Sequence, residues 1–311
     1  MKNLSVFVLF LFCLTFTLNG QVTTSGISGK VTAEGELLIG ATVQAVHEPS
    51  GTTYGTVTNA DGRYSLQGMR TGGPYTVEVS YVGFQKAVYK NITLQLGETY
   101  LLDVKLTESL SLDEVVVTAS KAALFNSQKT GAAQNFNQSQ IQATPSVSRS
   151  IFDVTKMNPL GVNTASGMSF AGSSNKYNSF QIDGITNNDV FGLSSSGTNG
   201  GQAGANPISL EAIEEIQVVI APYDVRQGGF TGGGINAITK SGTNTFHGSA
   251  YWYYNNENFY GKTPGKDAKE RKKLGDQSSA TYGFTLGGPI VKDKLFFFAN
   301  YERVKETYPS S

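Results

Sequence analysis

The chain has 311 residues, and its 24 lysine and arginine residues equal its 24 aspartate and glutamate residues in number. This balance provides no net charge that would indicate a nucleic-acid partner. Charged residues make up only 15% of the chain and glycine accounts for 36 residues. Such a composition is typical of β-structure and polar turns and argues against a helical enzyme.

The first twenty residues have the composition of an export signal. A lysine at position 2 precedes an apolar run from Leu4 to Leu18, which is shorter than the roughly 18–20 residues that a membrane-spanning helix needs. We predict a signal peptide over 1–20 with cleavage before Gln21. The single cysteine, Cys13, lies inside it, so the mature chain is expected to contain no disulfide and no thiolate metal site.

Residues 26–107 alternate apolar and polar side chains with a period of two, and turn signals interrupt the alternation. Asp61-Gly62 and Gly72-Gly73-Pro74 provide turn chemistry. The pattern predicts a small antiparallel β-sandwich. Its run 59–85 resembles the carboxypeptidase regulatory-like domain, a transthyretin-like sandwich. The predicted strands are ISGKVTA, GATVQAV, TYGTVTN, GRYSLQG, YTVEVSYVGF, NITLQL and TYLLDVKL.

The segment 108–120 contains a short β-branched strand between acidic and small polar residues, in the run SLDEVVVTAS. Two interpretations remain open for it. It is either the last strand of the sandwich or a strand kept available for another protein.

The stretch 121–243 combines weakly patterned polar sequence with short strands, as expected of a mixed α/β domain. We predict a helix near 148–157, capped by Ser146 or Ser148, and a helical spacing over 208–216. The stretch 192–207 is too rich in Gly, Ser and Asn to form a core. The predicted strands are GMSFAG, NSFQIDGI, IEEIQVVIAP and GGGINAITKSG.

Residues 244–311 contain aromatic strands of about 9–11 residues, the length of a tilted membrane strand. One face of the second strand is apolar and the other is small and polar, which is typical of a wall between lipid and a wet lumen. A long charged loop, 255–277, and a minimal turn near 291–294 connect the strands. The alternating sets are Ala280, Tyr282, Phe284 and Leu286 against Thr281, Gly283, Thr285 and Gly287. The loop's basic cluster has two open interpretations, contact with lipopolysaccharide or simple solvation; it contains Lys269, Arg271, Lys272 and Lys273.

The sequence contains no recognisable catalytic motif and therefore does not favour an enzyme. His47 and His247 are the only histidines, and we expect both on a surface or wall. Gly261-Lys262-Thr263 lacks the first glycine of a phosphate loop because Asn256 occupies that position. A polar turn offers oxygen ligands for a hard cation, but turn formation explains its residues better; they are Asp183, Asn187, Asn188 and Asp189. We therefore predict no catalytic residue, no cofactor and no metal site.

Three runs together resemble the TonB-dependent outer-membrane receptors, and more narrowly their Oar-like branch, which carries a sandwich domain before the plug. They are SFQIDGI over 179–185, the run 213–254, and LGGPIVKDKLFFFANYE over 286–302. The resemblance implies a mainly β chain that ends after the first three strands of a much larger barrel. The implied segments are a signal peptide (1–20), a sandwich (26–107), a TonB-box segment (108–120), a plug (121–243) and barrel strands (244–311).

The resemblance also implies a function. Such receptors import a ligand into the periplasm, using proton-motive force delivered by TonB with ExbB and ExbD. The implied surroundings are the lipid of a Gram-negative outer membrane, a periplasmic sandwich and an unknown extracellular ligand. The TonB box implied here would pair with TonB by β-strand addition; its residues are Asp113, Glu114, Val115, Val116, Val117, Thr118 and Ala119.

Two alternatives accompany this reading. One is a cell-envelope binding protein whose sandwich engages glycan or protein without transport. The other is a peptidase-associated accessory chain, suggested only by the name of the sandwich family.

Overall fold

The computed structural model describes residues 22–108, 115–118, 132–146, 149–164, 167–222, 227–263 and 271–308, with the backbone alone for 115–118. The described chain is mainly β, as predicted. The predicted signal peptide lies outside these residues. Within them, no helix is long and apolar enough to cross a membrane.

The N-terminal unit is a sandwich of two five-stranded sheets that share one apolar core. Side chains alternate between this core and solvent along most strands, which is why the period of two predicted them. The first sheet contains β1 (Ser25–Ala33), β2 (Glu36–Leu37), β5 (Arg63–Met69), β8 (Thr99–Leu101) and β9 (Val104–Leu106). The second contains β3 (Thr42–His47), β4 (Thr52–Val57), β6 (Gly72–Ser80), β7 (Ala87–Leu94) and β10 (Val115–Thr118).

The sandwich departs from the prediction in strand direction. β8 and β9 pair with β1 in parallel, and so does β10 with β7, so the sandwich is mixed rather than antiparallel. The predicted last strand is also divided between β8 and β9. At the division the carbonyl of Leu102 accepts the hydroxyl of Tyr64 at 2.7 Å and lies directly against Gly29, where a Cβ would collide with it.

The second unit is built around a five-stranded mixed sheet in the order β11, β16, β17, β14, β15. Its strands are β11 (Ala132–Asn137), β14 (Ser179–Ile182), β15 (Ile185–Thr186), β16 (Ile213–Ile220) and β17 (Gly233–Thr239). A separate hairpin is formed by β12 (Gly161–Thr164) and β13 (Gly167–Phe170). One face of the sheet packs into an apolar core that includes Phe136, Phe180, Ile216, Val218 and Ile235.

The helices of this unit are short. The described ones are Gln138–Ala143 and Ile151–Thr155, with 3-10 turns at Asn175–Tyr177, Gly201–Ala203 and Leu210–Ala212. Ser150 caps the second helix by accepting the N–H of Phe152, whereas Ser146 instead bonds the carboxylate of Asp153, so the predicted cap was wrong. The predicted helical spacing over 208–216 was also wrong beyond one 3-10 turn, because pairing with β17 makes Ile213 the first residue of β16.

The third unit is an antiparallel three-stranded sheet of β18 (His247–Asn256), β19 (Ser278–Val291) and β20 (Leu295–Thr307). β19 and β20, with 14 and 13 residues, are longer than predicted. The predicted alternation along β19 is confirmed. Phe284 and Leu286 are exposed on the outer face, and Thr285 and Gly287 are buried on the inner face. A further 3-10 turn, Glu257–Phe259, follows β18.

Candidate functional site

Part of the segment predicted to bind TonB, Val115–Thr118, forms the end strand of a sandwich sheet. β10 pairs in parallel with β7, with Val116 opposite Val88 and Thr118 opposite Lys90. Within the described residues, the second edge of β10 pairs with no strand. The backbone therefore adopts the position of the last sandwich strand, one of the two interpretations of the sequence. The remaining predicted residues lie outside the described part; they are Asp113, Glu114 and Ala119.

The second unit, which corresponds to the predicted plug and is called the plug below, holds the sandwich by one backbone turn of the sandwich. The N–H of Leu96 donates to both carboxylate oxygens of Glu215, at 3.1 and 3.2 Å. The carbonyl of Leu96 accepts the side-chain amides of Asn135 at 3.0 Å and Gln217 at 2.6 Å. Asn135 also donates to Glu215 at 3.0 Å and accepts from Gln217 at 3.2 Å. We call these three plug side chains, with Leu96, the latch.

The latch belongs to a polar row across the plug sheet. Asn135, Gln217, Asn236 and Gln181 occupy mutually opposite positions on β11, β16, β17 and β14. The next residue of each strand points to the apolar core on the other face. Asn236 donates to the carbonyl of Val22 at 2.8 Å, giving the sandwich a second attachment.

Glu215 is buried in this junction with an exposed fraction of 5%. Burial raises the pKa of Glu215 from 4.5 to about 7, and the nearby Glu214 and Glu98 also raise it. The hydrogen bonds from Leu96 and Asn135 act in the opposite direction. The carboxyl group therefore gains or loses its proton near neutral pH while the sandwich is docked.

A second polar network joins the plug to the three-stranded sheet of β18, β19 and β20, the predicted barrel wall, which is called the wall below. Glu302 on β20 accepts hydroxyl hydrogen bonds from Ser209 of the plug at 2.9 Å and from Tyr251 of β18 at 2.8 Å. Arg149 of the plug pairs with Glu211 at 2.9 Å, and its guanidinium lies over the ring of Tyr253, 4.2 Å from the centroid. The inner face of the wall therefore contacts the plug through polar groups and through cation–π contact.

The sandwich also reaches the edge of the barrel wall. The N–H of Asn244, just before β18, donates to the carbonyl of Pro49 in the sandwich at 2.8 Å. The side chain of Asn244 exchanges hydrogen bonds with Asp293, in the short turn between β19 and β20, at 2.7 and 2.9 Å. The short turn and the sandwich therefore lie at the same end of the wall.

In the polar turn of the plug, over 183–189, the side chains form hydrogen bonds that stabilise the turn and its neighbouring strands. Asp183, with a positive φ of 50°, accepts the N–H and hydroxyl of Thr239, both at 2.8 Å. Asn188 accepts from the N–H of Phe180 at 2.7 Å. Backbone hydrogen bonds to Asp189, first that from Ser194, lower its pKa. These contacts match the turn interpretation of this run.

The two histidines differ in environment. His47 is buried against Tyr75, and its Nδ1 lies 2.7 Å from the hydroxyl oxygen of Ser50, so the expected surface position was wrong. Burial lowers the pKa of His47 to about 4, which keeps the ring neutral at physiological pH. His247 is exposed on the wall, as expected.

The basic loop is only partly described. Arg271, Lys272 and Lys273 are exposed, and Lys269 lies outside the described residues. The two interpretations of the cluster, simple solvation and contact with lipopolysaccharide, both stay open.

Sequence reasoning missed the latch. The sequence does contain a trace of the latch, because otherwise apolar strands carry polar residues on one face. These residues are Gln181, Glu215, Gln217 and Asn236. Such a pattern indicates a sheet with one face outside the core. The pattern does not reveal that a distant backbone turn covers that face.

Comparisons with known proteins agree with this architecture. The model of the carboxypeptidase regulatory-like domain matches residues 26–107, and that of the TonB-dependent receptor plug domain matches 114–235. The model of an outer membrane beta barrel domain matches 238–311. The chain therefore has the domain composition of the TonB-dependent outer-membrane receptors, which confirms the resemblance seen in the sequence.

Within that class, the chain is 31% identical over 265 residues to the TonB-dependent transporter Oar of Myxococcus xanthus. This alignment covers 79% of the chain and 23% of Oar, so the chain spans less than a quarter of that relative. It is 38% identical over 104 residues to the probable TonB-dependent siderophore receptor PirA of Acinetobacter baumannii, covering 32% of the chain and 12% of PirA. The crystal structure of PirA aligns with a TM-score of 0.39 and 26% identity, covering 56% of the chain and 24% of PirA.

Proposed function

We propose that this chain is the TonB-coupled part of an outer-membrane importer, with Asp113–Ala119 as the segment that TonB binds. The observation that carries the proposal is the position of β10. It lies in the chain between the sandwich and the first plug strand, and one edge of it pairs with no strand within the described residues. An extended segment with unpaired backbone groups is what β-strand addition requires.

The lengths of the connections between the wall strands support an orientation of the receptor in the outer membrane. Outer-membrane barrels have short turns on the periplasmic side and long loops outside. The short turn that contains Asp293 meets Asn244 and, through it, the sandwich carbonyl of Pro49. This arrangement supports a periplasmic position for the sandwich and β10, where TonB would be within reach.

Energy for import would come from the inner membrane, through TonB with ExbB and ExbD. The chain then acts as a transporter and not as an enzyme, and its ligand enters from outside the cell. Tension on β10 would reach β11, the edge strand of the plug sheet, which follows it in sequence. Displacement of β11 from β16 would open the plug at that edge.

Binding of the TonB C-terminal domain to the complete detergent-solubilised receptor tests this function. We expect retention by the intact receptor and loss of retention when residues 113–119 are replaced by a Gly/Ser linker of equal length. Undiminished retention by the linker variant would contradict the assignment. Replacement of the exposed sandwich loop 34–36 by the same kind of linker is the control and should leave retention unchanged.

A further inference from the structure

The plug face that the sandwich covers differs in chemistry from the face that forms the plug core. The core face carries large apolar side chains, whereas the covered face carries mainly polar ones, carboxamides and the carboxylate of Glu215, with Val219 as an apolar exception. Permanent interfaces between folded units are usually apolar, and polar ones are typical of units that separate. The covered face is therefore suited to contact with water.

The contacts made from the sandwich side are mainly backbone groups. The plug side chains bind the N–H and carbonyl of Leu96 and the carbonyl of Val22. The side chains of Val22 and Leu96 are buried but belong to neither the sandwich core nor the plug core. Separation would leave both cores intact, because these two apolar side chains belong to neither core and water can satisfy the polar groups that become exposed.

Burial of the Glu215 carboxyl group opposes docking when the group is charged. Its carboxyl group is removed from water when the sandwich is seated, and burial raises its pKa. Gly97, next to Leu96, adopts a positive φ of 71°, and a Cβ there would lie 3.0 Å from the amide nitrogen of Gln217. The turn is therefore shaped to approach the plug closely, with no side chain at its nearest point.

We propose that the sandwich is a detachable cover of the plug, seated by the latch on Leu96 and by Asn236 on Val22. Its departure leaves both domains folded and exposes the polar row to solvent. The cover closes the plug on the side of the short wall turn, so it must leave before anything passes along that face of the sheet. The proposal concerns the receptor at rest and does not depend on TonB binding.

Thiol labelling of the complete receptor, with all other cysteines replaced by serine, tests the cover. Asn236→Cys places a thiol beneath the sandwich, and Ala237→Cys places one in the plug core on the adjacent residue. Both positions are buried, with exposed fractions of 8% and 0%. We expect a small maleimide to label Cys at 236 at least ~10-fold faster, because local opening precedes global unfolding. Equal rates would overturn the proposal.

A latch variant adds a second comparison. Gln217→Ala should accelerate labelling at 236 by roughly 5- to 30-fold and leave labelling at 237 unchanged, since it weakens docking without opening the plug core. Gln44→Ala, on the exposed face of β3, is the matched control and should change neither rate. Parallel acceleration at both positions would show that sandwich and plug open only by unfolding together.

Hydrogen exchange provides a readout without any cysteine. The amide of Leu96 is bonded to the plug, whereas the amide of Leu102 is bonded within the sandwich, to the carbonyl of Ser28 at 2.8 Å. We expect Leu96 to exchange faster than Leu102, and Gln217→Ala to widen the difference. Equal protection of the two amides would contradict a detachable cover, whatever the outcome of the TonB binding experiment.

Discussion

Asn135 and Gln217 lie directly opposite each other on β11 and β16, and both side-chain amides donate to the carbonyl of Leu96. Two neighbouring plug strands therefore bind the same carbonyl group of the sandwich. β11 is also the edge strand of the plug sheet and the first plug strand after β10. Any displacement of β11 from β16 removes one of the two donors, so opening of the plug edge weakens the attachment of the sandwich.

Proline substitutions along β10 should distinguish its two edges. Successive residues of a strand direct their N–H groups to opposite edges, so Val116→Pro and Val117→Pro each remove a donor on a different side. We expect one of the two variants to lose most TonB retention, and the other to lose mainly pairing with β7. Retention of the TonB C-terminal domain by the complete receptor measures the first effect.

Threonine at the same positions is the control for the proline variants, since it keeps the N–H and the β-branched shape. Val116→Thr and Val117→Thr should retain TonB close to the level of the unchanged receptor. Equal retention by both proline variants and both threonine variants would show that TonB does not pair with this strand.

Docking of the sandwich should depend on pH through Glu215. The docked pKa is raised from 4.5 to about 7, so the docked state holds a proton that the separated state releases. Docking is therefore strongest below pH 4.5, weakens as the pH rises to about 7, and changes little above that. The protection of the Leu96 amide, corrected for intrinsic exchange, measures this trend.

Glu215→Gln is the matched variant for the pH experiment. Glutamine keeps an oxygen that accepts the N–H of Leu96 but has no charge to bury. We expect the pH slope to disappear and docking above pH 7 to be stronger than in the unchanged receptor. A slope that persists in Glu215→Gln would assign the pH dependence to another group.

The contact between plug and wall yields a third prediction. Tyr251→Phe removes the hydroxyl that lies 3.1 Å from the hydroxyl of Ser209 in the plug and that also donates to Glu302 at 2.8 Å. The contact should weaken by about 1–3 kcal/mol, because Ser209 loses a partner and the carboxylate that it binds loses a hydrogen bond. Tyr253→Phe is the control, since Arg149 lies over the ring of Tyr253 and phenylalanine keeps that ring. The urea concentration at which the plug becomes sensitive to protease should fall only for Tyr251→Phe.

The sequence was informative where one local period decides the structure. An exposed outer face and an inner face turned to the plug impose alternation on β19, which is why Phe284 and Thr285 were assigned to opposite faces. The sandwich strands followed from alternation in the same way. The direction of β8 and β9 did not, because parallel pairing with β1 joins residues about seventy positions apart and leaves no local signal.

The latch could not be predicted from the sequence either, because it also joins residues that are far apart in the chain. Glu215 and Leu96 are 119 positions apart, and one partner is a backbone turn that any residue type can provide. β11 was also missed, because polar side chains such as Asn135 face the sandwich and only Phe136 of this strand is buried. His47 was misplaced because the chain after β3 folds back, so that Ser50 meets the imidazole ring.

The outer face of the wall provides the last prediction. Phe284 is exposed there and stacks on Tyr301, with ring centroids 5.9 Å apart, and we expect it to face lipid in the outer membrane. Phe284→Arg should destabilise the folded receptor by about 2–4 kcal/mol if the position is near the bilayer midplane, since a charge in hydrocarbon is costly. Asn300→Arg is the control: Asn300 lies opposite Thr285 on the inner face, at nearly the same height in the wall. Heat-modifiable mobility of the receptor from outer membranes measures the folded fraction, which should fall for Phe284→Arg and stay near the unchanged level for Asn300→Arg. An equal loss in both variants would contradict the assignment of these two faces.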